Sequence, residues 1–267
     1  MIKRTLTVVV GLPIVLFLVH LGGLFLVIFC AAVALLGLRE LYLAISDENK
    51  LVHLLGYVST VVYFAILYLF DTGYELFLVI TIVIILAQIC LVIFFNKLTL
   101  KEIMTTVYGV LYIPVLLAFI VLTRELEMGH YYVWLIFTSA FGCDTFAYLT
   151  GVSIGKHKLT GTPSPNKSVE GLFGGVIGAA VVGAVFGLIM LHFSNVLEAN
   201  FIAHSAIISA VGAVFCIFGD MAASAIKRHT GIKDFGNLFP GHGGMLDRID
   251  SVVLAAPVVY LLVNLVG

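Results

Sequence analysis

Residues 74–95 read YELFLVITIVIILAQICLVIFF, and comparable apolar stretches recur along the whole chain. A helix crosses the roughly 30 Å hydrocarbon core of a bilayer with about 20 mostly apolar residues. Backbone groups inside that core must be bonded within their own segment, so each stretch is predicted to be a helix. The predicted spans lie near residues 3–20, 23–44, 52–70, 74–95, 103–123, 130–150, 170–193, 201–226 and 250–266. The predicted fold is all-α, a polytopic integral membrane protein with about nine transmembrane helices.

The composition excludes an ordinary soluble domain. Hydrophobic residues make up 61% of the 267 residues and charged residues only 11%, whereas soluble domains are about 45–50% apolar. The formal net charge of −1 gives no reason to expect nucleic acid as a partner. The four cysteines lack CxxC spacing, which predicts neither a disulfide framework nor a zinc site. We predict one membrane-embedded domain over residues 1–267, with the lipid bilayer as its solvent.

Lysine and arginine are distributed unevenly between the two sides of the predicted spans. With the N-terminus inside, all of the 14 Lys and Arg residues except Arg124 fall on the inner side, which predicts a cytoplasmic N-terminus. The first apolar stretch has no polar cleavage region after it, so it is expected to be retained rather than removed as a signal peptide. The two longest inner loops, residues 151–169 and 227–249, also hold the unusual polar residues. Chemistry is therefore expected on the cytoplasmic side.

Carboxylates occur within or beside three of the spans. Asp144 lies inside the sixth span, where exposing a charge to lipid would cost about 2.5–3.5 kcal/mol, so it is expected to face a cavity or a partner. Asp220 lies near the inner end of the eighth span, and Asp247 and Asp250 share a face of the ninth. Several carboxylates without cysteine or paired histidine favour a hard cation such as Mg²⁺ over zinc.

Basic residues accompany these carboxylates. Lys167 precedes the seventh span, whose N-terminus can help to hold phosphate oxygens. A glycine-rich segment, residues 236–244, permits tight turns and close backbone approach to a ligand. The basic residues around it are Lys227, Arg228, Lys233 and Arg248. Acids for a metal together with bases for phosphate predict phosphoryl or nucleotidyl transfer.

Three further features have less specific interpretations. His242 either donates to phosphate or makes only local hydrogen bonds. Glu40, next to Arg39, is predicted to form half of a local charge pair and is left out of the site. The glycines between Gly171 and Gly187 allow close helix packing either within one chain or between chains, which leaves a homo-oligomer open.

The chain resembles the phosphatidate cytidylyltransferases in a long run near its C-terminus. The run reads Ser224-x-x-Lys227-Arg228-x₄-Lys233-Asp234-x-Gly236-x₂-Leu-x-Pro240-Gly241-His242-Gly243-Gly244-x-x-Asp247-Arg248-x-Asp250. Two upstream segments are also similar to that family, Asp144-Thr-x-Ala-Tyr148 and Ser164-Pro-x-Lys167-Ser-x-Glu170-Gly171. One departure is Ser168-Val169, where the family commonly has Thr-Trp.

The resemblance implies that CTP and phosphatidic acid are converted to CDP-diacylglycerol and pyrophosphate in phospholipid biosynthesis, with Mg²⁺, at a bacterial inner membrane. Under this interpretation Asp220 and Asp247 are the first choices for metal ligands, Asp144 and Asp250 support them, and one or two ions remain possible. The residues assigned to substrate phosphates are Lys167, Lys227, Arg228, Lys233, His242 and Arg248. The residues assigned to catalysis are Asp220, Asp247, Lys227 and Arg248.

Two other functions are compatible with the same residues. A CTP-dependent lipid-alcohol kinase would use similar acids and bases but would transfer the γ-phosphoryl group and release CDP. A cation-coupled transporter is suggested by Asp144 and Asp220 within spans. It would move its substrate across a membrane without nucleotide turnover.

Overall fold

The structure is a computed structural model that describes residues 2–45, 50–70, 75–94, 98–239 and 243–266. The described residues form helices α1 (Ile2–Leu21), α2 (Gly23–Ile45), α3 (Lys50–Leu69), α4 (Glu75–Ile93), α5 (Leu100–Val110), α6 (Leu116–Glu125), α7 (Gly129–Ile154), α8 (Val169–Phe193), α9 (Asn200–His229) and α10 (Leu246–Val266). Within these ranges no strand occurs, and β-type pairing is confined to two isolated bridges. The all-α prediction is confirmed.

Six helical stretches in the described part of the chain are long and apolar enough to cross a membrane. They are Gly23–Ile45, Leu100–Glu125, Gly129–Ile154, Val169–Phe193, Asn200–His229 and Leu246–Val266. Two shorter apolar stretches, His53–Leu69 and Ile80–Ile93, lie in α3 and α4. The protein is therefore a multi-pass membrane protein, while the count of nine spans and the orientation of the N-terminus stay predictions.

The predicted span 103–123 is one continuous helical stretch with an irregular turn in its middle. Residues Leu111–Val115 form a π-helical turn that joins α5 to α6, and Pro114 lies inside it. Proline has no backbone N–H and its ring crowds the preceding turn, so a regular α-helical ladder cannot pass through that position. The N-terminus of α5 is fixed by a capping box. The Thr99 hydroxyl oxygen accepts from the backbone N–H of Glu102, and the Glu102 carboxylate accepts from the backbone N–H of Thr99.

The chain divides into two compact units, of which the first contains Met1–Val121 and Thr230–Arg248. Its core includes Tyr42 of α2, whose side chain is fully buried. The Tyr42 hydroxyl donates to the backbone oxygen of Thr106 in α5 at 3.1 Å. Its ring packs against Gly56 of α3 and Gly109 of α5, where any larger residue would meet the tyrosine. A single aromatic side chain thus ties three helices together.

The second unit contains Leu122–His229 and Ile249–Gly267, and α7, α8 and α9 pack closely within it. Gly175 of α8 faces α7, because a Cβ at that position would lie 3.0 Å from the backbone oxygen of Cys143. Gly187 faces α9, since its Cβ would lie 3.0 Å from the Cα of Ile202. The glycines of α8 therefore serve packing between helices of one chain, one of the two alternatives that the spacing allowed.

Candidate active site

Lys167 and Asp220 form an ion pair in the second unit. Lys167 ends the loop before α8, and Asp220 lies in α9 near its C-terminal end. The two side chains retain 28% and 26% of their exposure, so the pair is partly shielded from water while staying accessible. Two residues predicted on separate elements are thus brought into direct contact.

The loop that carries Lys167 is closed by hydrogen bonds at its base. The carboxylate of Glu170 accepts from the backbone N–H of His157 at 3.2 Å and pairs with the His157 ring at 2.5 Å. The N–H of Leu159 donates to the Lys167 oxygen at 3.0 Å. Ser168 caps α8 by accepting from the Gly171 N–H at 3.2 Å. These bonds hold the backbone on both sides of Lys167. They therefore fix the position of Lys167 relative to the start of α8.

Asp250 and Asp144 lie near this ion pair in the same unit. Asp250 is 8% exposed and interacts electrostatically with Asp220, Asp144 and Lys227. Gly219 permits the approach of α10 to α9, because a Cβ there would lie 3.3 Å from the Cα of Ser251. Of the residues predicted from the sequence, the structure therefore groups Asp144, Lys167, Asp220, Lys227 and Asp250.

Asp247 lies in the first unit, in the first turn of α10. Its Oδ2 atom accepts from the N–H of Phe235 at 2.9 Å and from the N–H of Gly244 at 3.0 Å. Gly243 adopts a φ of +82°, which side-chain-bearing residues rarely reach. The carboxylate thus holds Phe235 and Gly244 against the start of α10, a structural role that the sequence did not predict.

The prediction that Glu40 forms half of a local charge pair is wrong. The Glu40 side chain is buried, and its two oxygens accept from the N–H groups of Met245 and Leu246 at 2.9 and 2.8 Å. The predicted local charge pair with Arg39 is replaced by these backbone contacts. No local sequence pattern indicates these contacts, because 205 residues separate Glu40 from Met245.

The remaining predicted residues are basic or lie beyond the described ranges. Arg228 lies in the last turn of α9, Lys233 in the turn that follows and Arg248 in the first turn of α10, and all three are exposed. His242 lies outside the described residues, as do Pro240 and Gly241.

The donor set fits a hard cation better than a soft one. The grouped side chains offer carboxylate oxygens, while all four cysteines are buried and unpaired by disulfides, and oxygen ligands are what Mg²⁺ prefers. Among the described residues, no three His, Cys, Asp or Glu side chains are gathered closely enough to enclose a metal ion. Mg²⁺ is commonly held by one or two carboxylates together with substrate phosphates, so this arrangement remains compatible with it.

The sequence matches the cytidylyltransferase family over residues 2–266. It is 40% identical to a phosphatidate cytidylyltransferase of Thermotoga maritima over 129 residues, which cover 48% of this chain and 47% of that protein. The proteins of that name from Staphylococcus epidermidis and Staphylococcus aureus are 32% and 33% identical to it, each over 97% of both chains. The chain therefore belongs to the cytidylyltransferase family.

Proposed function

We infer that this protein is a phosphatidate cytidylyltransferase, a nucleotidyltransferase of phospholipid biosynthesis. It transfers CMP from CTP to phosphatidic acid and yields CDP-diacylglycerol and pyrophosphate. The observation that carries this conclusion is the full-length match: the family covers residues 2–266, and relatives of that name align with 97% of the chain. The ion pair and carboxylates beside α9 supply the charges that such chemistry needs.

In the chemical step, an oxygen of the lipid phosphate forms a bond to the α-phosphorus of CTP. The bond from that phosphorus to the oxygen bridging the α- and β-phosphates breaks, and pyrophosphate leaves with the electron pair. A phosphate monoester is already substantially ionised near neutral pH, so the protein need not remove a proton from it. Positioning and charge stabilisation account for the catalysis.

We propose that the basic residues hold the phosphates of the two substrates. The residues assigned this role are Lys167, Lys227, Arg228, Lys233, His242 and Arg248. Lys167 pairs with Asp220. A substrate phosphate can take the place of that carboxylate at the lysine, because both are anionic acceptors of the same N–H donors.

We propose Asp220 and Asp247 as the principal Mg²⁺ ligands, supported by Asp144 and Asp250. Bound Mg²⁺ would offset the negative charge that grows on the departing pyrophosphate. Asp247 engages two N–H groups through Oδ2, and a carboxylate has further acceptor capacity at its second oxygen. Asp220 exchanges its lysine partner when a substrate phosphate binds Lys167.

We further propose nine membrane spans, a cytoplasmic N-terminus and a cytoplasmic active site in the inner membrane of a bacterium, within one membrane-embedded domain. The asymmetry of Lys and Arg across the spans supports this orientation. The apolar stretches His53–Leu69 and Ile80–Ile93 support two further crossings. In this orientation CTP arrives from the cytoplasm, and the acyl chains of phosphatidic acid stay in lipid.

The proposal is tested with purified protein in detergent, phosphatidic acid, Mg²⁺ and CTP labelled in its α-phosphate. Equal amounts of pyrophosphate and labelled CDP-lipid are expected. Asp220→Asn and Asp247→Asn should each lower the rate by about 100-fold or more, while Glu198→Gln, at an exposed carboxylate, should not. Release of CDP with a phosphorylated lipid would indicate a kinase instead. Substrate flux into liposomes without nucleotide turnover would indicate a transporter.

A further inference from the structure

The carboxylate of Glu40 caps the N-terminus of α10. Its Oε1 accepts from the Met245 N–H at 2.9 Å, and its Oε2 accepts from the Leu246 N–H at 2.8 Å. The first N–H groups of a helix have no partner inside the helix, so an outside acceptor is needed when they are buried. A carboxylate at this place also interacts favourably with the positive end of the helix dipole.

Gly236 and Gly244 leave room for this carboxylate because they lack side chains. A Cβ at Gly236 would lie 2.6 Å from Glu40 Oε1, and a Cβ at Gly244 would lie 2.5 Å from Glu40 Cδ. The end of a glutamate side chain can usually move aside, but here both oxygens are held by backbone N–H groups. The two glycines and Glu40 therefore form one packed arrangement within the first unit.

Asp247 depends on the same backbone. It follows Leu246 directly, and its own Oδ2 accepts from Phe235 and Gly244. Glu40 thus fixes residues 245 and 246, while Asp247 fixes residues 235 and 244. A shift of the Met245–Leu246 peptide would carry Asp247 with it.

We propose that Glu40 is a positioning residue for cytidylyl transfer, which acts by holding the backbone that presents Asp247. This inference rests on the proposed function. It adds a residue from α2 that is far in sequence from the run between Ser224 and Asp250. The buried carboxylate is tolerated because both of its oxygens accept hydrogen bonds. A glutamine has only one side-chain oxygen, so its NH₂ group would face one of the two backbone N–H groups and that N–H would lose its acceptor. Charge and geometry are thus both required at this position.

The test compares Glu40→Gln and Glu40→Asp with Glu102→Gln in the full-length protein. Glu102 is a matched control, because its carboxylate also accepts a backbone N–H at a helix start, from Thr99 at 2.7 Å. We expect kcat of Glu40→Gln to fall about 10- to 100-fold with a smaller change in the KM for CTP. Glu40→Asp, which keeps the charge on a shorter side chain, should recover part of the activity. Glu102→Gln should keep the wild-type kcat.

A second readout does not require turnover. Hydrogen exchange of peptides covering residues 244–248, measured by mass spectrometry, should be faster in Glu40→Gln than in the wild type and unchanged in Glu102→Gln. Unchanged exchange, or a Glu40→Gln protein with wild-type kcat, would overturn the inference. If the wild type itself forms no CDP-lipid, the proposed function is wrong, and the catalytic part of this inference falls with it.

Discussion

At the scale of single residues, the carboxylates of this protein bind backbone N–H groups or a cationic side chain. Asp247 binds two N–H groups, Glu40 binds two more, and Asp220 pairs with Lys167. A buried or half-buried carboxylate is costly unless its oxygens are bonded, and these contacts meet that requirement. The chemistry expected of the acids is therefore coupled to the local fold.

Lys167→Ala should lower kcat/KM for CTP by about 100-fold, because it removes a partly buried cation that we propose to bind substrate phosphate, and because it takes away the lysine partner of Asp220. Lys156→Ala is the control, since Lys156 is an exposed residue of the same loop. Initial rates of pyrophosphate release at several CTP concentrations measure the effect. Equal rates for the two variants would contradict the role of Lys167.

Two substitutions at Asp247 should separate its structural role from its chemical one. Asparagine keeps one carbonyl oxygen that can accept from both Phe235 and Gly244, so Asp247→Asn should fold and melt near the wild-type temperature while losing activity. Asp247→Ala removes the acceptor to which two N–H groups donate, which should lower the free energy of unfolding by about 1–3 kcal/mol. Thermal unfolding in detergent compares them. A large loss of stability in Asp247→Asn would show that the negative charge itself maintains the fold.

At the scale of helices, sequence reasoning succeeds where one strong physical constraint acts. Lipid leaves a spanning backbone little choice but a helix, so the apolar runs predicted the helices well. Their internal irregularities depend on single residues, as the π-helical turn around Pro114 shows. Lys167 and Asp220 were predicted as site residues, but their contact and the role of Glu40 arise between distant segments. A local sequence pattern does not indicate which distant residues will be in contact.

Gly183→Leu should disrupt the packing of α8 against α9, because even a Cβ at this position would lie 2.7 Å from the Cβ of Ser209. Overpacking of this kind costs about 1–3 kcal/mol or more. Val185→Leu is the control on the same helix, since Val185 is 52% exposed. The melting temperature in detergent should fall for the first variant only, and similar values for both would contradict the contact.

At the scale of the whole molecule, the two units alternate along the chain. The first unit takes Met1–Val121 and Thr230–Arg248, and the second takes the segment that follows each of them, Leu122–His229 and Ile249–Gly267. Of the predicted site residues that the structure describes, Lys233, Asp247 and Arg248 belong to the first unit, and the others, Asp144, Lys167, Asp220, Lys227, Arg228 and Asp250, belong to the second. The prediction of a single domain remains a prediction, as does the orientation in the membrane.

The proposed orientation can be tested by cysteine labelling. Glu127→Cys lies in the connection before α7, predicted outside, and Asn166→Cys lies in the loop before α8, predicted inside; both positions are exposed. The four native cysteines are buried and should react slowly with a charged maleimide. In right-side-out vesicles only Glu127→Cys should label. Labelling of Asn166→Cys instead would reverse the predicted topology.

The contact between Glu40 and Met245 has a consequence for the order in which the protein is made. The two residues are 205 positions apart, and a ribosome adding about 5–20 residues per second needs roughly 10–40 s to pass from one to the other. During that interval α2 is already synthesised, while the amides that its carboxylate binds do not yet exist. A chain that stops before residue 245 cannot form this arrangement, so activity should arise only when translation is nearly complete.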